Sequence, residues 1–387
     1  MLIGNEFIAA RLRRGEMTLG EKLWGVAWLF LLVVSLTASI GFIMLYSAAN
    51  GSLDPWAVRQ MTRFGVLMLV LLAIALTDIR VWMKYAYVFY VLTMVLLIAV
   101  EVKGTIGMGA QRWIDLKVIQ LQPSELMKIA LVLTLARYFH GADLDDVRRI
   151  TFLVPPLVLV ALPSVLVLRQ PDLGTTLMLV AGSAAILFLA GVRLWKFALV
   201  IVAGLGAIPV AWQFLHDYQK QRVLTFLNPE RDPLGAGYHI LQSKIALGSG
   251  GMFGKGFGAG TQAHLNFLPE KQTDFIFTML AEEFGMIGGL TLIALYVVIL
   301  IYGFAITFRC RHQFGRYVAM GVTVTFFLYV FINIAMVMGL IPVVGVPLPL
   351  ISYGGTAMLT QMIGFGLLMS VFVHRDVQIG RRGNFED

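Results

Sequence analysis

The sequence is poor in cysteine and in charged residues. Its 387 residues include one cysteine, Cys310, which excludes an intramolecular disulfide framework and any cysteine-based metal cluster. Only 13% of the residues are charged, whereas 58% are hydrophobic. A soluble domain of this size does not need so much apolar surface, but a polytopic α-helical membrane protein does. The composition therefore predicts an all-α polytopic membrane protein.

Apolar runs divide the chain into about ten transmembrane helices, each near the ~20 residues that cross the hydrocarbon core. No small-residue cleavage site follows the first run, so we expect it to be retained as a span. We expect a single integral membrane domain, residues 1–387, with a transmembrane core at 24–373. The predicted spans are 24–48, 61–77, 82–100, 123–139, 152–168, 175–190, 194–212, 275–302, 317–340 and 352–373.

Lysine and arginine set the predicted orientation. With the N-terminus inside, cytoplasmic segments carry 17 of the 30 basic residues and the short outer loops carry 6. Because Lys and Arg are enriched in cytoplasmic loops, we expect both termini in the cytoplasm. The large extracytoplasmic loop at 213–274, between spans seven and eight, is long enough to contain interfacial helices. The net charge of +8 follows from this bias, so it indicates contact with membrane lipids and no nucleic-acid binding.

Three carboxylates lie where predicted spans begin on the outer side. Glu125 enters span four, Asp172 precedes span six and Asp274 opens span eight. A carboxylate at the edge of a bilayer is costly, which favours a functional role. Helix capping is the alternative, because the helix dipole favours an acidic residue in the first turn. Ser124 and Thr273 are expected as N-caps of spans four and eight.

Several cations accompany these carboxylates. Glu125 and Lys128 are three residues apart, so they share a helix face and can form an ion pair. That pair either neutralises itself or forms the wall of a charged cavity. The long outer loop carries six Lys and Arg residues, among them Lys244 and Lys271, which would suit a phosphate-bearing lipid. Headgroup contact without catalysis is the alternative for each of them.

Seven glycines lie between residues 248 and 260 of the same loop. The run lacks the Gly-Lys-Ser/Thr ending and the preceding strand of a P-loop. We expect it instead to allow close approach of the backbone to a substrate or to another helix. Glu282 and Glu283 lie deeper in span eight and point in different directions, so at most one faces a shared cavity. We expect structural roles for both.

A long motif lies near the C-terminal end of the chain. It comprises Asn333, then Gly–Leu–Ile–Pro–Val–Val–Gly–Val at 339–346 and Leu–Ile–Ser–Tyr–Gly–Gly–Thr–Ala at 350–357. This motif resembles the signature of the SEDS family of cell shape, division and sporulation proteins. Segments 107–114, 122–126, 170–175 and 268–274 are similar to further family blocks, so the resemblance covers about 24–373. Segment 338–349 looks more like the RodA (elongation) branch than the FtsW (division) branch, which is the alternative.

The resemblance implies a peptidoglycan glycosyltransferase that polymerises lipid II on the outer leaflet of the bacterial cytoplasmic (inner) membrane for elongation and rod shape. It implies that Asp274 is catalytic. It also implies a divalent cation, Mg²⁺ or Mn²⁺, near Glu125 and Asp172, which line the central cavity, and no organic cofactor. The implied partners are a class B penicillin-binding protein and other membrane proteins of the elongation complex.

The implied reaction joins an α-linked lipid-pyrophosphate donor into a β-1,4 glycan, which requires one in-line displacement with inversion. Asp274 is the expected general base on the acceptor 4-hydroxyl. Positive charge must stabilise the departing pyrophosphate. The candidates for substrate contact are Glu125, Asp172, Arg112, Lys128, Lys244 and Lys271.

Two other classes of protein fit parts of the sequence. A lipid-precursor flippase or an ion-coupled transporter would also have about ten spans and helices interrupted by Gly and Pro. Its substrate site would lie near the bilayer midplane, whereas the carboxylates here lie near one leaflet. A non-catalytic scaffold would need neither Asp274 nor the polar outer loop.

Overall fold

The protein, described by a computed structural model, is a bundle of helices with one small sheet. The structure describes residues 17–107, 110–115, 120–214, 220, 224–226, 236–265, 267–268 and 270–380. The helices are α1 (Leu19–Gly25), α2 (Trp28–Ala48), α3 (Ala57–Leu76), α4 (Ile79–Lys103), α5 (Pro123–Phe139), α6 (Leu144–Arg148), α7 (Ile150–Arg169), α8 (Leu173–Leu189), α9 (Leu194–Phe214), α10 (Ala236–Ser249), α11 (Thr261–His264), α12 (Ile276–Arg309), α13 (Gln313–Val337) and α14 (Gly355–Val373).

The long helices follow the predicted spans. Within the described residues, seven of them are long and apolar enough to cross a membrane, namely α2, α3, α4, α7, α12, α13 and α14. Helix α8 is shorter and apolar, as is the part Leu194–Pro209 of α9, and α5 has 17 residues with buried charges. The prediction of a mostly helical membrane protein is therefore confirmed.

The prediction of an all-α chain is wrong between α4 and α5. Strands β1 (Thr105–Gly107), β2 (Ala110–Asp115) and β3 (Gln120–Leu121) form an antiparallel sheet in the order β1-β2-β3. Strand pairing supplies the backbone hydrogen bonds that this polar connection would otherwise lack. A strand is recognised in a sequence by the alternation of apolar and polar residues, and strands this short contain too few residues to show it. The sheet carries Arg112 and leads directly into Pro123, the first residue of α5.

Helices α5 and α13 form the centre of the bundle. Helix α13 packs against α5, α8, α12 and α14, and α5 also packs against α4 and α8. In α13, 72% of the most apolar stretch is buried within the protein, whereas in α3 the buried share of the corresponding stretch is 28%. The outer helices therefore expose their apolar side chains to lipid, whereas α5 and α13 place their polar residues inside protein.

Helix α12 is interrupted at Gly285, whose φ of 67° and ψ of −162° are not helical. The glycine-rich segment 250–256 supplies hydrogen bonds on both sides of the interruption, as a break inside a membrane helix requires. The amide donors and carbonyl acceptors are Lys255 to Glu282 at 3.0 Å, Gly256 to Glu283 at 3.1 Å, Met286 to Gly251 at 2.9 Å and Ile287 to Met252 at 3.2 Å.

The glycines of this segment allow the backbones to approach closely. A Cβ atom at Gly254 would lie 2.1 Å from the carbonyl oxygen of Glu283, and one at Gly250 would lie 2.1 Å from that of Ala281. Both distances are far below van der Waals contact. The expectation that the glycine run allows close approach to another helix is confirmed.

Glu282 and Glu283 anchor the same region from inside α12. Glu282 Oε1 accepts hydrogen bonds from Lys255 Nζ at 2.7 Å and from the Gln262 amide at 3.1 Å. Glu283 Oε1 accepts one from Ser47 Oγ at 2.5 Å, on α2, and lies 3.2 Å from His264 Nε2. Both carboxylates therefore attach residues of segment 255–264 to α12, a structural role for each.

Candidate functional site

Asp274 lies half-buried in the turn that precedes α12. Distant parts of the chain hold the backbone of this turn. Asn333 Nδ2, on α13, donates to the carbonyl oxygen of Asp274 at 3.0 Å. Ser352 Oγ donates to the carbonyl oxygen of Thr273 at 2.6 Å. The position of the turn is therefore set by α13 and by the loop before α14, as well as by α12.

The loop at 339–354 also lies against the Asp274 carboxylate. Gly345 has a φ of +74°, and a Cβ atom there would lie 3.3 Å from Asp274 Oδ2. The Tyr353 amide donates to the carbonyl oxygen of Gln272 at 2.8 Å. A side chain at position 345 would be strained by its backbone and would crowd the carboxylate.

Glu125 and Lys128 form a buried cluster with Tyr329. Lys128 Nζ lies 2.7 Å from Glu125 Oε1 and donates to the Tyr329 hydroxyl at 2.5 Å. The same hydroxyl donates to Glu125 Oε2. The predicted ion pair is confirmed, and its charges are compensated by each other and by the tyrosine.

Asp172 is the N-cap of α8. Its Oδ1 accepts the Thr175 amide at 3.0 Å and its Oδ2 accepts the Thr175 hydroxyl at 2.9 Å. Arg112 Nη1 lies 3.6 Å from Asp172 Oδ2, while its other nitrogens donate to the carbonyl oxygens of Gln170 at 3.0 Å and Pro171 at 2.6 Å. The capping alternative thus describes Asp172 correctly, and Arg112 fixes the segment before the helix.

The two predicted serine and threonine caps are wrong. The N-cap of α5 is Gln122, because Pro123 takes the first helical position, and Ser124 lies inside the helix. The N-cap of α12 is Phe275. Thr273 Oγ1 instead donates to Glu270 Oε2 at 2.9 Å.

The two loop lysines have different surroundings. Lys271, in the same turn as Asp274, is 7% exposed, and desolvation by burial lowers its pKa from the ordinary value. Lys244, on α10, is exposed. Its side chain lies across Gly339, where a Cβ atom would be 2.4 Å from Lys244 Cε. Lys271 therefore shares a turn with the predicted base, whereas Lys244 borders the loop that covers it.

Glu125 and Asp172 do not fit a shared divalent metal site as they are arranged. Both oxygens of Glu125 are engaged by Lys128 and Tyr329, and both oxygens of Asp172 are engaged by Thr175. Within the residues that the structure describes, no group of three or more His, Cys, Asp and Glu side chains is placed to hold a metal ion. We therefore assign no chemical step to a metal here.

A small pocket lies beside residues that hold both groups. Its lining includes Tyr329, which contacts Glu125 and Lys128, and Ser352, which holds the Asp274 turn. Residues that hold the Asp274 turn and the Glu125–Lys128 cluster therefore meet at this pocket.

Two residues of this region were missed from the sequence. Tyr329 is one of them. It lies four residues before Asn333, a member of the family signature, and residues four apart share a helix face. That spacing was a usable signal. Arg63 is the other, one of the six basic residues that the predicted topology places in the short outer loops. The structure places its guanidinium carbon 4.9 Å from the centre of the Tyr353 ring, within the signature segment at 350–357.

Fold and site together define a multi-pass membrane protein with its charged groups at the entrances of buried helices. The chain belongs to the FtsW/RodA/SpoVE family, whose model, described as "Cell cycle protein", matches residues 27–377. The predicted family resemblance is confirmed, and the protein is a multi-pass protein of the bacterial inner membrane.

Curated relatives agree with this assignment. The chain is 46% identical over 341 residues to the peptidoglycan glycosyltransferase MrdB of Escherichia coli K12, covering 86% of this chain and 91% of that protein. It is 35% identical over 353 residues to the stage V sporulation protein E of Bacillus subtilis, covering 89% of this chain and 96% of that protein.

Solved structures show the same fold. A chain in a structure on the structural coordination of polymerization and crosslinking by a peptidoglycan synthase complex superposes with a TM-score of 0.78 at 31% identity, covering 90% of this chain and 98% of that chain. The rod shape determining protein RodA of Thermus thermophilus gives a TM-score of 0.68 at 29% identity, covering 91% and 97%.

Proposed function

We propose that the protein is a RodA-like peptidoglycan glycosyltransferase that polymerises lipid II into β-1,4 glycan strands for cell-wall elongation. The relatives that share 46% identity over most of the chain are peptidoglycan glycosyltransferases, which favours this activity over a flippase. The observation that carries the site is the Asp274 turn, held from α13 and from the loop before α14. Such anchoring suits a group that must keep its position during a reaction.

We propose ten transmembrane helices, both termini in the cytoplasm and the 213–274 loop outside. Helices α2–α5, α7–α9 and α12–α14 provide ten helices, in chain order, at the predicted spans. In that order, α5, α8 and α12 all run from outside to inside. Glu125, Asp172 and Asp274, at their N-terminal ends, then lie towards the outer leaflet, where a lipid-linked sugar would be presented.

Asp274 acts as general base in this proposal. The 4-hydroxyl oxygen of the acceptor attacks the anomeric carbon of the donor while its proton passes to the Asp274 carboxylate. The bond from that carbon to the pyrophosphate oxygen breaks on the opposite face, which gives inversion from the α to the β configuration. Holding the two lipid-linked sugars in line supplies a large part of the rate acceleration.

Lys271 is the cation in this proposal that stabilises the departing pyrophosphate. It lies in the same turn as Asp274 and is 7% exposed, and burial strengthens an interaction with an anion. Lys128 and Arg112 lie on other elements, α5 and β2.

A divalent cation remains a prediction from the family resemblance. Glu125 and Asp172 would have to release Lys128 and Thr175 before they could bind it. Chelation of divalent ions with EDTA during polymerisation tests the requirement directly.

We further propose a class B penicillin-binding protein as partner, together with other membrane proteins of the elongation complex. The structural neighbour with a TM-score of 0.78 belongs to a peptidoglycan synthase complex, which supports an assembly that couples polymerisation with crosslinking.

Polymerisation of purified lipid II tests the proposed activity. The full chain would be reconstituted with its penicillin-binding partner, whose crosslinking serine is replaced so that only glycan strands form. We expect long strands that muramidase digests. Absence of strands, with lipid II crossing the vesicle membrane, would contradict the glycosyltransferase assignment and support a transporter.

A further inference from the structure

Helix α13 contacts both charged groups of the site through two side chains one turn apart. The Tyr329 hydroxyl donates to Glu125 and accepts a hydrogen bond from Lys128 at 2.5 Å. Asn333 Nδ2 donates to the carbonyl oxygen of Asp274 at 3.0 Å. Four residues of α-helix correspond to a rise of about 6 Å. One rigid element therefore spans the distance between the two groups.

Asn333 also connects the Asp274 turn to the loop that covers it. The same amide nitrogen donates to the carbonyl oxygen of Val346 at 2.7 Å. The preceding residue, Gly345, lies against the Asp274 carboxylate. The backbone on both sides of the carboxylate is thus held by one side chain, which is fully buried.

Tyr329 holds the Glu125–Lys128 pair in two ways. Its hydroxyl bridges the carboxylate and the ammonium, and Lys128 Nζ also lies 4.2 Å from the centre of its ring. Phe327 and Phe331, on the other side of the same helix, are 43% and 54% exposed. The polar face of α13 is therefore directed at the charged groups, whereas the opposite face is apolar and outward.

We propose that Tyr329 and Asn333 are positioning residues, and that α13 uses them to hold Asp274 and the Glu125–Lys128 pair at a fixed spacing for glycan polymerisation. This inference rests on the proposed function. Neither residue touches substrate in this scheme. Tyr329 acts through Glu125 and Lys128, and Asn333 acts through the backbone of Asp274.

The test compares Tyr329→Phe and Asn333→Leu with wild type and with Phe331→Leu, a control on the outward face of α13. Each full chain is assayed for lipid II polymerisation with its partner. We expect kcat to fall about 10- to 100-fold for the first two, the range that small misplacement of reacting groups produces. KM should change less than about twofold, because the contacts to substrate are kept. Phe331→Leu should retain both constants.

A double-mutant cycle separates positioning from general packing. If Tyr329 acts through Glu125 and Lys128, then Glu125→Gln combined with Tyr329→Phe should lose clearly less activity than the two single losses together. Additive losses would overturn the inference, as would losses of kcat that only follow a lowered unfolding temperature. Rates within twofold of wild type for both single variants would also overturn it.

The outcomes keep this inference apart from the proposed function. A wild-type protein that makes no strands contradicts the glycosyltransferase activity itself. A wild-type protein that makes strands, together with variants that have unchanged kcat, contradicts only the positioning role.

Discussion

At the scale of single residues, the charged groups of the site fall into two sets, a buried polar wall and the turn that carries Asp274 and Lys271. Glu125, Lys128 and Asp172 are each engaged by several short contacts to protein atoms. Breaking such buried pairs is costly, so these residues are best suited to a fixed polar wall. Asp274 and Lys271 share one turn, and reaction chemistry is assigned to that turn.

The charge of Lys271 should determine the alkaline limit of activity. Because desolvation lowers its pKa from the ordinary value, its ammonium loses a proton at a lower pH than an exposed lysine does. Stabilisation of the pyrophosphate should weaken as the pH rises through that lowered pKa. Arginine stays charged throughout this range. We therefore expect Lys271→Arg to move the alkaline limb of the polymerisation rate to higher pH.

Lys244→Arg is the control for this pH profile. Lys244 is exposed, and its substitution should leave the alkaline limb unchanged. A profile that moves for Lys244→Arg and stays fixed for Lys271→Arg would assign the pyrophosphate contact to Lys244 instead.

Sequence spacing could predict only local residue pairs. Glu125 and Lys128 are three residues apart, and their ion pair followed from helix periodicity. Their third partner, Tyr329, lies 204 residues beyond Glu125 in the chain. Helix periodicity relates residues within a few turns, so a contact over this separation depends on how α5 and α13 pack. The predicted caps failed because a local preference was overruled by Pro123 and by the turn before α12.

At the scale of elements, α12 depends on a segment that is distant in sequence. Its interruption at Gly285 leaves backbone groups whose hydrogen bonds come from segment 250–256. The sequence showed the glycine run and predicted close backbone approach. It could not identify the helix approached, because glycine has no side chain that specifies a partner.

Gly254 and Gly258 allow this contact to be measured. Both have positive φ, +81° and +72°, so alanine is strained at either position. A Cβ atom at Gly254 would meet the Glu283 carbonyl at 2.1 Å, whereas one at Gly258 would meet nothing within 4 Å. We expect Gly254→Ala to reduce the free energy of unfolding by about 1–3 kcal/mol more than Gly258→Ala, the typical cost of overpacking.

Thermal unfolding of both variants in detergent would measure that difference. Equal unfolding temperatures for the two alanine variants would contradict the close contact between segment 250–256 and α12.

At the scale of the whole molecule, hydropathy predicted the helices well, because a membrane requires long apolar segments. The small sheet before α5 was missed, since it lies in a polar connection where this requirement does not apply. Orientation was predicted from Lys and Arg alone, and the arrangement of helices is equally compatible with either orientation.

Cysteine labelling can determine the orientation. The natural Cys310 is buried, and its pKa is raised to about 12 by desolvation, so it should contribute little background. In intact cells, a membrane-impermeant maleimide should label Ser52→Cys, between α2 and α3, and should leave Asp145→Cys, on α6, unlabelled until the cells are opened. The reverse pattern would contradict the proposed topology and the outer location of Asp274.

The most direct measurement of the central claim is strand formation by Asp274→Asn. This variant keeps the size of the side chain and removes its ability to accept a proton. Glu101→Gln is a matched control, because that carboxylate is exposed and lies 3.9 Å from Arg169. With the penicillin-binding partner present, wild type and Glu101→Gln should make long glycan strands, and folded Asp274→Asn should make none. Strands from Asp274→Asn at the wild-type rate would contradict the assignment of Asp274 as the base.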